Sequence, residues 1–368
     1  MIVPSPHLVR PRRPGRAALV ALAVALAAAA LAGPASAGVA NAGLVGPGQP
    51  DPIAGLPWGN YSGPLDEVFP AYRSAAGRDR SLLGLIALRP RMRWFGAWYP
   101  DAQARQTIAQ YIANVTGGDP DVLAQAAVFR LVPWEHAACG RLPSAAQQAS
   151  YRTWIRAFAA GIGDSRVALV LQPDLPVALC VPHHSQLPLR MVAFATRVFS
   201  ARPHTTVYID AGAADWPTVS QAAALLRGAD VADARGFALN ATHYDATANE
   251  IRFGARVVRA LAAAGIPGRH FVINTAANGR PFTFQQYHGP DFDNAAPCAT
   301  RASTRCVTLG IPPTWQVTSA RWGLPPAVRA LAGRLVDGYL WIGRPWLVDQ
   351  NDPFDLQRSL QLAATTPF

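Results

Sequence analysis

Three aspartates, Asp174, Asp210 and Asp349, follow apolar runs far apart in the chain. Carboxyl groups brought to one place can divide a hydrolysis between them, one protonating a leaving oxygen and another activating water. The ten tryptophans narrow that chemistry. Trp98, Trp134, Trp216, Trp341 and Trp346 flank the ends of apolar runs, whereas Trp94 and Trp154 read as core. Flat aromatic faces beside carboxylates and amides suit pyranose rings, whose C–H faces stack while their hydroxyls bond to Asp and Asn. His183-His184 reads as a solvated loop pair, and no Cys or His spacing resembles a zinc site, so neither metal nor cofactor is expected.

These residues need a scaffold, and the pattern of the chain supplies one. Short strand-like runs occur at 93–98, 127–132, 166–171, 206–209, 236–239, 270–273 and 338–342. Stretches of helical spacing lie between most of them, at 102–113, 145–160, 187–199, 250–264 and 326–335. Strands alternating with helices imply a parallel sheet, here an α/β fold closing as a distorted, roughly seven-stranded β/α barrel. Active sites of such barrels lie at the C-terminal strand ends. Those ends carry Trp134-Glu135-His136, Gln172-Pro173-Asp174, Asp210-Ala211-Gly212, Asn240-Ala241-Thr242-His243 and Asn274-Thr275. One such Asp can simply cap the next helix, but five polar ends on one face point to a site.

Composition bounds the function. The 368 residues are 50% hydrophobic and 15% charged, enough for a large core and too apolar for overall disorder. The formal charge is +11, and all 33 basic residues are Arg. This reads as codon bias: the arginines are scattered without a recognition motif, so no nucleic-acid partner is expected, and no cluster suggests a binder of anionic polymers. Arg10, Arg12, Arg13 and Arg16 precede an apolar run from Ala17 to Ala32 and then Ala35-Ser36-Ala37, which reads as a secretory signal over 1–37. The run is shorter than the roughly 20 residues that span a bilayer, so no stable membrane insertion is expected after cleavage. Residues 38–57, rich in Gly, Pro and Ala, read as a flexible leader, and 58–368 as a single monomeric barrel domain. Export favours disulfides among Cys139, Cys180, Cys298 and Cys306. Of three connectivities, 139–180 with 298–306 is preferred because each pair brackets one loop region.

Six segments, in order, resemble glycoside hydrolase family 6, the inverting β-1,4-glucanases and cellobiohydrolases. Val-Leu-Gln-Pro-Asp174 resembles I-x-E-P-D, and Val-Tyr-Ile-Asp210-Ala-Gly-Ala-Ala-Asp-Trp216 resembles V-Y-L-D-A-G-H-A-G-W. Gly-Phe-Ala-Leu-Asn240-Ala-Thr-His-Tyr244 is similar to G-F-A-T-N-V-A-N-Y, and Asn-Thr-Ala-Ala-Asn278-Gly279 to D-x-S-R-N-G. Cys306 to Thr314 is similar to a loop ending G-x-x-P-T, and Trp341-Ile-Gly-Arg-Pro-Trp-Leu-Val-Asp349 to W-V-K-P-x-G-E-x-D. The resemblance runs from about Trp94 to the C-terminus and implies a distorted seven-stranded barrel acting on an oligo- or polysaccharide. It implies Asp174 as general acid and Asp349 as base. Asp210 and Trp216 would flank the cleavage point, and Asn240 and Asn278 would join Trp98, Trp134 and Trp341 in holding sugar.

The chain departs from that pattern at informative places. Gln172 stands where the family has Glu, Gly343 and Leu347 where it has Lys and Glu, and Pro297 where it has Trp. His136 falls at the family's second catalytic-centre Asp, beside Glu135. A carboxylate there raises the acid's pKa, and a charged imidazole acts in the opposite sense, so His136 is expected to weaken catalysis. The expected protein is a secreted inverting glycosidase; the opposing class is a non-catalytic carbohydrate binder on the same scaffold.

Overall fold

The computed structural model describes residues 50–134 and 137–368, so the signal segment, residues 38–49 of the leader, Glu135 and His136 lie outside the described residues. Seven strands form one parallel sheet in sequential order: β1 Arg93–Gly96, β2 Ala124–Phe129, β3 Val167–Leu171, β4 Thr205–Asp210, β5 Gly236–Leu239, β6 His270–Asn274 and β7 Val336–Leu340. The sheet curls into a barrel with alternating sides. Trp94, Ala127, Val170, Tyr208, Ala238, Val272 and Leu340 form an inner core, and their neighbours Phe95, Val128, Leu169, Ile209, Phe237, Ile273 and Tyr339 pack outward under the helices. β7 and β1 form no ladder. One backbone bond, Met92 N–H to Trp341 O at 2.9 Å, and one indole bond, Trp94 Nε1 to Ile342 O at 2.7 Å, span the seam.

The helices are α1 Phe69–Ser74, α2 Gly77–Ala87, α3 Ala104–Thr116, α4 Ala145–Ile162, α5 Leu187–Ser200, α6 Val219–Gly228, α7 Thr247–Ala263, α8 Pro326–Leu335 and α9 Leu356–Thr365. α4 starts at a capping box between Ser144 and Gln147, and Gly117 ends α3 in a left-handed conformation. Trp154 and Phe158 of α4 stack at 4.6 Å and are fully buried; truncating Phe158 to Ala would cost about 3–5 kcal/mol. No helix among the described residues is long and apolar enough to cross a membrane. Cys139 pairs with Cys180 and Cys298 with Cys306.

Three expectations change. β2 lies at 124–129, not 127–132: past Phe129 the chain leaves the ladder, and Leu131 N–H turns to the Gln172 side chain at 3.2 Å. α1, α2, α6 and α9 had no counterpart in the periodicity, although Thr218 and Gln221 form a capping box that marks the start of α6. The leader is not flexible to residue 57. Ile53 is fully buried in the inner core, Trp58 Nε1 donates to its carbonyl at 2.9 Å, and Trp58 bridges to Leu123 at the foot of β2.

Candidate active site

Asp174 follows β3 through Gln172-Pro173, and the chain there is held away from ordinary geometry. Gln172 and Asp174 have φ of 54° and 64°, and Asn240, Asp349 and Gln350, on other loops at the same end of the barrel, are also left-handed. Such backbone costs about 1–3 kcal/mol per residue and persists where the surroundings over-determine it, characteristically at functional sites. The segment after Asp174 is short helical turn, 175–180, ending at Cys180, so the Cys139–Cys180 bridge anchors it. By loop closure this bridge removes about 4 kcal/mol of unfolded-state freedom.

Thr242 Oγ1 donates to Asp174 Oδ1 at 2.6 Å. Asp210, at the end of β4, is buried beside Asp174 and accepts from Gly212 N–H at 3.0 Å. Burial first, and then the charge of Asp174, push the Asp210 carboxyl well above the ordinary range, against the pull of nearby backbone N–H groups. Gly212 needs to be glycine. Its φ is 80°, and a Cβ would lie 2.7 Å from Pro176. The two acids form one coupled unit: Asp210 is sealed inside and Asp174 stands at the rim.

From Asp174 a groove runs two ways. One arm, a cavity of about 410 Å³, is lined by Asp174, Pro176, Leu179, Trp216, Thr242, His243 and Asp293. Trp216 is 37% exposed, and one face stacks on His243 with centroids 5.0 Å apart and planes 10° apart. His243 Nδ1 is in turn 2.8 Å from Asp215 Oδ1. Burial opposes ionisation of Asp215, but His243 and the Phe284 N–H, 2.6 Å away, hold its carboxyl below the ordinary range. Glu250 of α7 pins the same loop by accepting from Ala214 N–H at 2.8 Å, and its own burial raises its carboxyl well above the ordinary range. Trp216 is thus a braced aromatic platform. His243 stands at a strand end the sequence marks as polar, but the bracing by Asp215 and Glu250 is not legible there because the bonded partners are 28 to 69 residues apart.

The other arm, about 210 Å³, is lined by Trp94, Trp98, Asp174, Thr242, Asp293, Arg344, Asp349 and Gln350. Trp98 is 52% exposed. Asp349 is exposed; what desolvation it has and the charge of Asp291, which also shares a hydrogen bond with it, raise its carboxyl. Asp174, Thr242 and Asp293 line both arms, so Asp174 stands at their junction with Trp216 in one arm and Asp349 in the other. Sequence reasoning counted a cation lost at Gly343. The structure puts Arg344, the next residue, into this arm, its guanidinium 4.9 Å from the Trp94 ring and its pKa lowered by burial. Gly343 itself has little room, since a Cβ would sit 2.9 Å from the backbone oxygen of Ala241.

Four expected sugar-holding residues belong to the scaffold instead. Asn240 is fully buried and its amide bonds to backbone at Asp245 and Asn274. Asn278 Nδ2 donates to Asp245 O and Thr247 Oγ1. Trp341 is buried with its indole N–H on Ile311 O, and Trp134 packs into the outer core. At Asn240 the loops crossing over the strand end take up the hydrogen bonds a sugar would need. Leu347 is likewise fully buried. Among the described residues no cluster of His, Cys, Asp and Glu could hold a metal.

Residues 58–350 match the family model described as Glycosyl hydrolases family 6. Endoglucanase A of Cellulomonas fimi is 30% identical over 234 residues, 62% of this chain and 48% of that protein. Endoglucanase 1 of Streptomyces halstedii is 31% identical over 206 residues, 55% of this chain and 63% of that protein. The chain spans about half the length of the curated relatives it matches. The structure of the endoglucanase Cel6 from Mycobacterium tuberculosis, in complex with methyl-cellobiosyl-4-deoxy-4-thio-β-D-cellobioside, superposes with a TM-score of 0.67 at 26% identity over 85% of this chain and 98% of that one. Cellobiohydrolase II from Humicola insolens, in complex with glucose and cellotetraose, superposes with a TM-score of 0.59 at 19% identity over 80% and 87%, a likeness of fold.

Proposed function

The chain belongs to glycosyl hydrolases family 6, and from that premise we propose that it is a secreted enzyme cleaving β-1,4-glucan, or a closely related polysaccharide, with inversion at the anomeric carbon. The observation that carries this reading is the place of Asp174, at the junction of two groove arms with a braced Trp on one side and Asp349 on the other. A glucan chain laid along the groove stacks one ring on the open face of Trp216, on the leaving side, and passes Trp98 beyond the cleavage point. Asp174 then protonates the glycosidic oxygen. Its coupling to buried Asp210 keeps a proton on the pair at a pH where an isolated aspartate is ionised, and Asp174 is the member that reaches the groove.

Asp349 is the base. It takes a proton from a water that attacks the opposite face of the sugar, an arrangement that needs carboxyls about 6.5–9.5 Å apart. Its raised pKa suits a group that must bind that proton in the transition state. Arg344 offsets the negative charge gathered in this arm. Export is supported by the two disulfides, which persist in oxidising compartments, and by the N-terminal sequence. The chain acts as a monomer of one barrel domain, and His136, opposite the family's second Asp, lowers its rate.

The test follows cello-oligosaccharide hydrolysis by NMR within the first turnovers. The α-anomer is expected at the new reducing end, and Asp174→Asn is expected to cut kcat by about 10²–10⁴ while binding persists. First formation of the β-anomer would refute inversion. Saturable binding of the same sugars without cleavage by the unaltered chain would instead make it a carbohydrate binder.

A further inference from the structure

The arginines are scattered in sequence, yet folding gathers four of them. Arg252, Arg256 and Arg259 recur at i, i+4 and i+7 along α7 and share one exposed face. Arg334, in the last turn of the neighbouring α8, faces the same cavity, about 480 Å³, whose floor includes Val258, Leu331 and Leu335. Like charges so placed repel one another. Among the described residues none of the four forms an ion pair with a carboxylate. Arg252 reaches only Ala248 O and Asn249 Oδ1, and Arg256 lies 5.8 Å from the Phe253 ring. The one acid of α7, Glu250, is buried and engaged with Ala214.

The trough continues. Val258, Arg334 and Leu335 also line a cavity of about 580 Å³ at the N-terminal end of the barrel, where Trp315 stands 40% exposed beside Thr318. Two acids line that second cavity as well. Asp337 is already bonded to Arg235 and His270, and Asp51 is raised by burial and by Asp337 to about 7.

We propose that this trough binds an anionic polysaccharide, a glycan bearing carboxylate or phosphate groups along its chain, at a site separate from the catalytic groove. The guanidinium fork matches carboxylate and phosphate oxygens two at a time, and four such groups on one face concentrate anions at it. An apolar floor and an exposed indole accept sugar-ring faces, which a site for a bare anion does not need. A membrane surface would call for several projecting apolar side chains, whereas among the described residues Trp315 is the only large exposed hydrophobic lining either cavity. Bound this way, the chain rests on a charged matrix with its groove free at the other end of the barrel.

Titration of the purified chain with polygalacturonate is expected to give saturable binding that weakens about tenfold or more when NaCl rises from about 0.05 to 0.5 M, through screening and counterion release. Arg256→Glu combined with Arg259→Glu is expected to weaken it about tenfold or more, and Arg334→Ser by less. Affinity for cello-oligosaccharides should be the same in all these chains, with circular dichroism melts verifying folding. Should the double variant not fold, Arg256→Gln alone and the salt titration of the unaltered chain carry the test. No binding of polygalacturonate, binding insensitive to salt or to the substitutions, or tighter binding to phosphatidylglycerol vesicles or a DNA duplex would each overturn the assignment. None of these readouts uses hydrolysis, so failure here and failure of the glycosidase reading are distinguishable.

Discussion

At each end of the barrel an aspartate is buried close to a second carboxyl, Asp337 near Asp51 at the N-terminal end and Asp210 near Asp174 at the C-terminal end. At the N-terminal end the charge is answered. Arg235 donates to both oxygens of Asp337 at 2.8 and 2.9 Å, Tyr208 donates at 2.8 Å, and His270 Nδ1 stands 3.2 Å away. Burial opposes ionisation of Asp337, but these donors overcome it and hold the carboxyl below the ordinary range. At the C-terminal end Asp210 meets backbone N–H groups and a second carboxyl, and burial with the charge of Asp174 drives it upward. The same residue type is thus a fixed charge that ties strands together at one end and a reservoir for a proton at the other. What differs is the neighbour of the buried carboxyl: a guanidinium lies against Asp337, and a second carboxyl lies beside Asp210.

The comparison is broken most forcefully at the N-terminal end. Asp337→Ala strips Arg235 of its buried partner and should cost about 3–5 kcal/mol of stability in urea denaturation. The stability that Asp337 contributes is present above the unfolded pKa, near 3.8, and is lost as pH falls through the lower folded value, so the variant's deficit should shrink in strong acid. A loss below about 1 kcal/mol would mean that Arg235 is solvated and the lock is not one.

At the other end, Asp210→Asn is expected to leave stability nearly unchanged and to move the basic limb of the pH–rate profile downward by about one unit. The sign follows from repulsion: with Asp210 present the doubly ionised pair is disfavoured and keeps its last proton to higher pH. An unmoved limb would show that the two carboxyls do not share a proton.

The smallest effect is expected at Asp51. Its carboxyl, raised from 3.8 to about 7, stays protonated in the folded chain where the unfolded chain has ionised, so stability falls as pH climbs between those values. Asn keeps the Oδ1 acceptor for Ile53 N–H and cannot ionise. Asp51→Asn should therefore gain on the unaltered chain from pH 4 to 7 and then level off. The gain is about 1 kcal/mol after discounting for solvent screening of a partly exposed group. Equal slopes in thermal melts across that range would refute it.

Much of this could be read along the chain. The seven strands were visible as short continuous apolar runs because the parallel sheet is packed on both faces, and the Asp174 and Trp216 motifs sit where those runs end. The i, i+4, i+7 arginines of α7 were also legible, although the scattered charge distracted from them. The anchoring of Ile53 was hidden because a Gly- and Pro-rich stretch shows no period even when one of its apolar side chains plugs a barrel. Asn240 and Asp210 could not be told apart, both being polar residues at strand ends; Asn240 is consumed by backbone groups of the crossing loops, and Asp210 is left facing Asp174.

The sequence by itself therefore determined the alternation of strands and helices and the residue types available for acid–base chemistry, since both are written in local periodicity or spacing, and it favoured one of three disulfide connectivities. Tertiary structure alone decided which carboxyl meets a cation and which meets another carboxyl, and that Arg334 joins the arginines of α7. Ionisation and attraction depend on burial and on distances of a few ångströms between residues far apart in the chain, and only packing sets those.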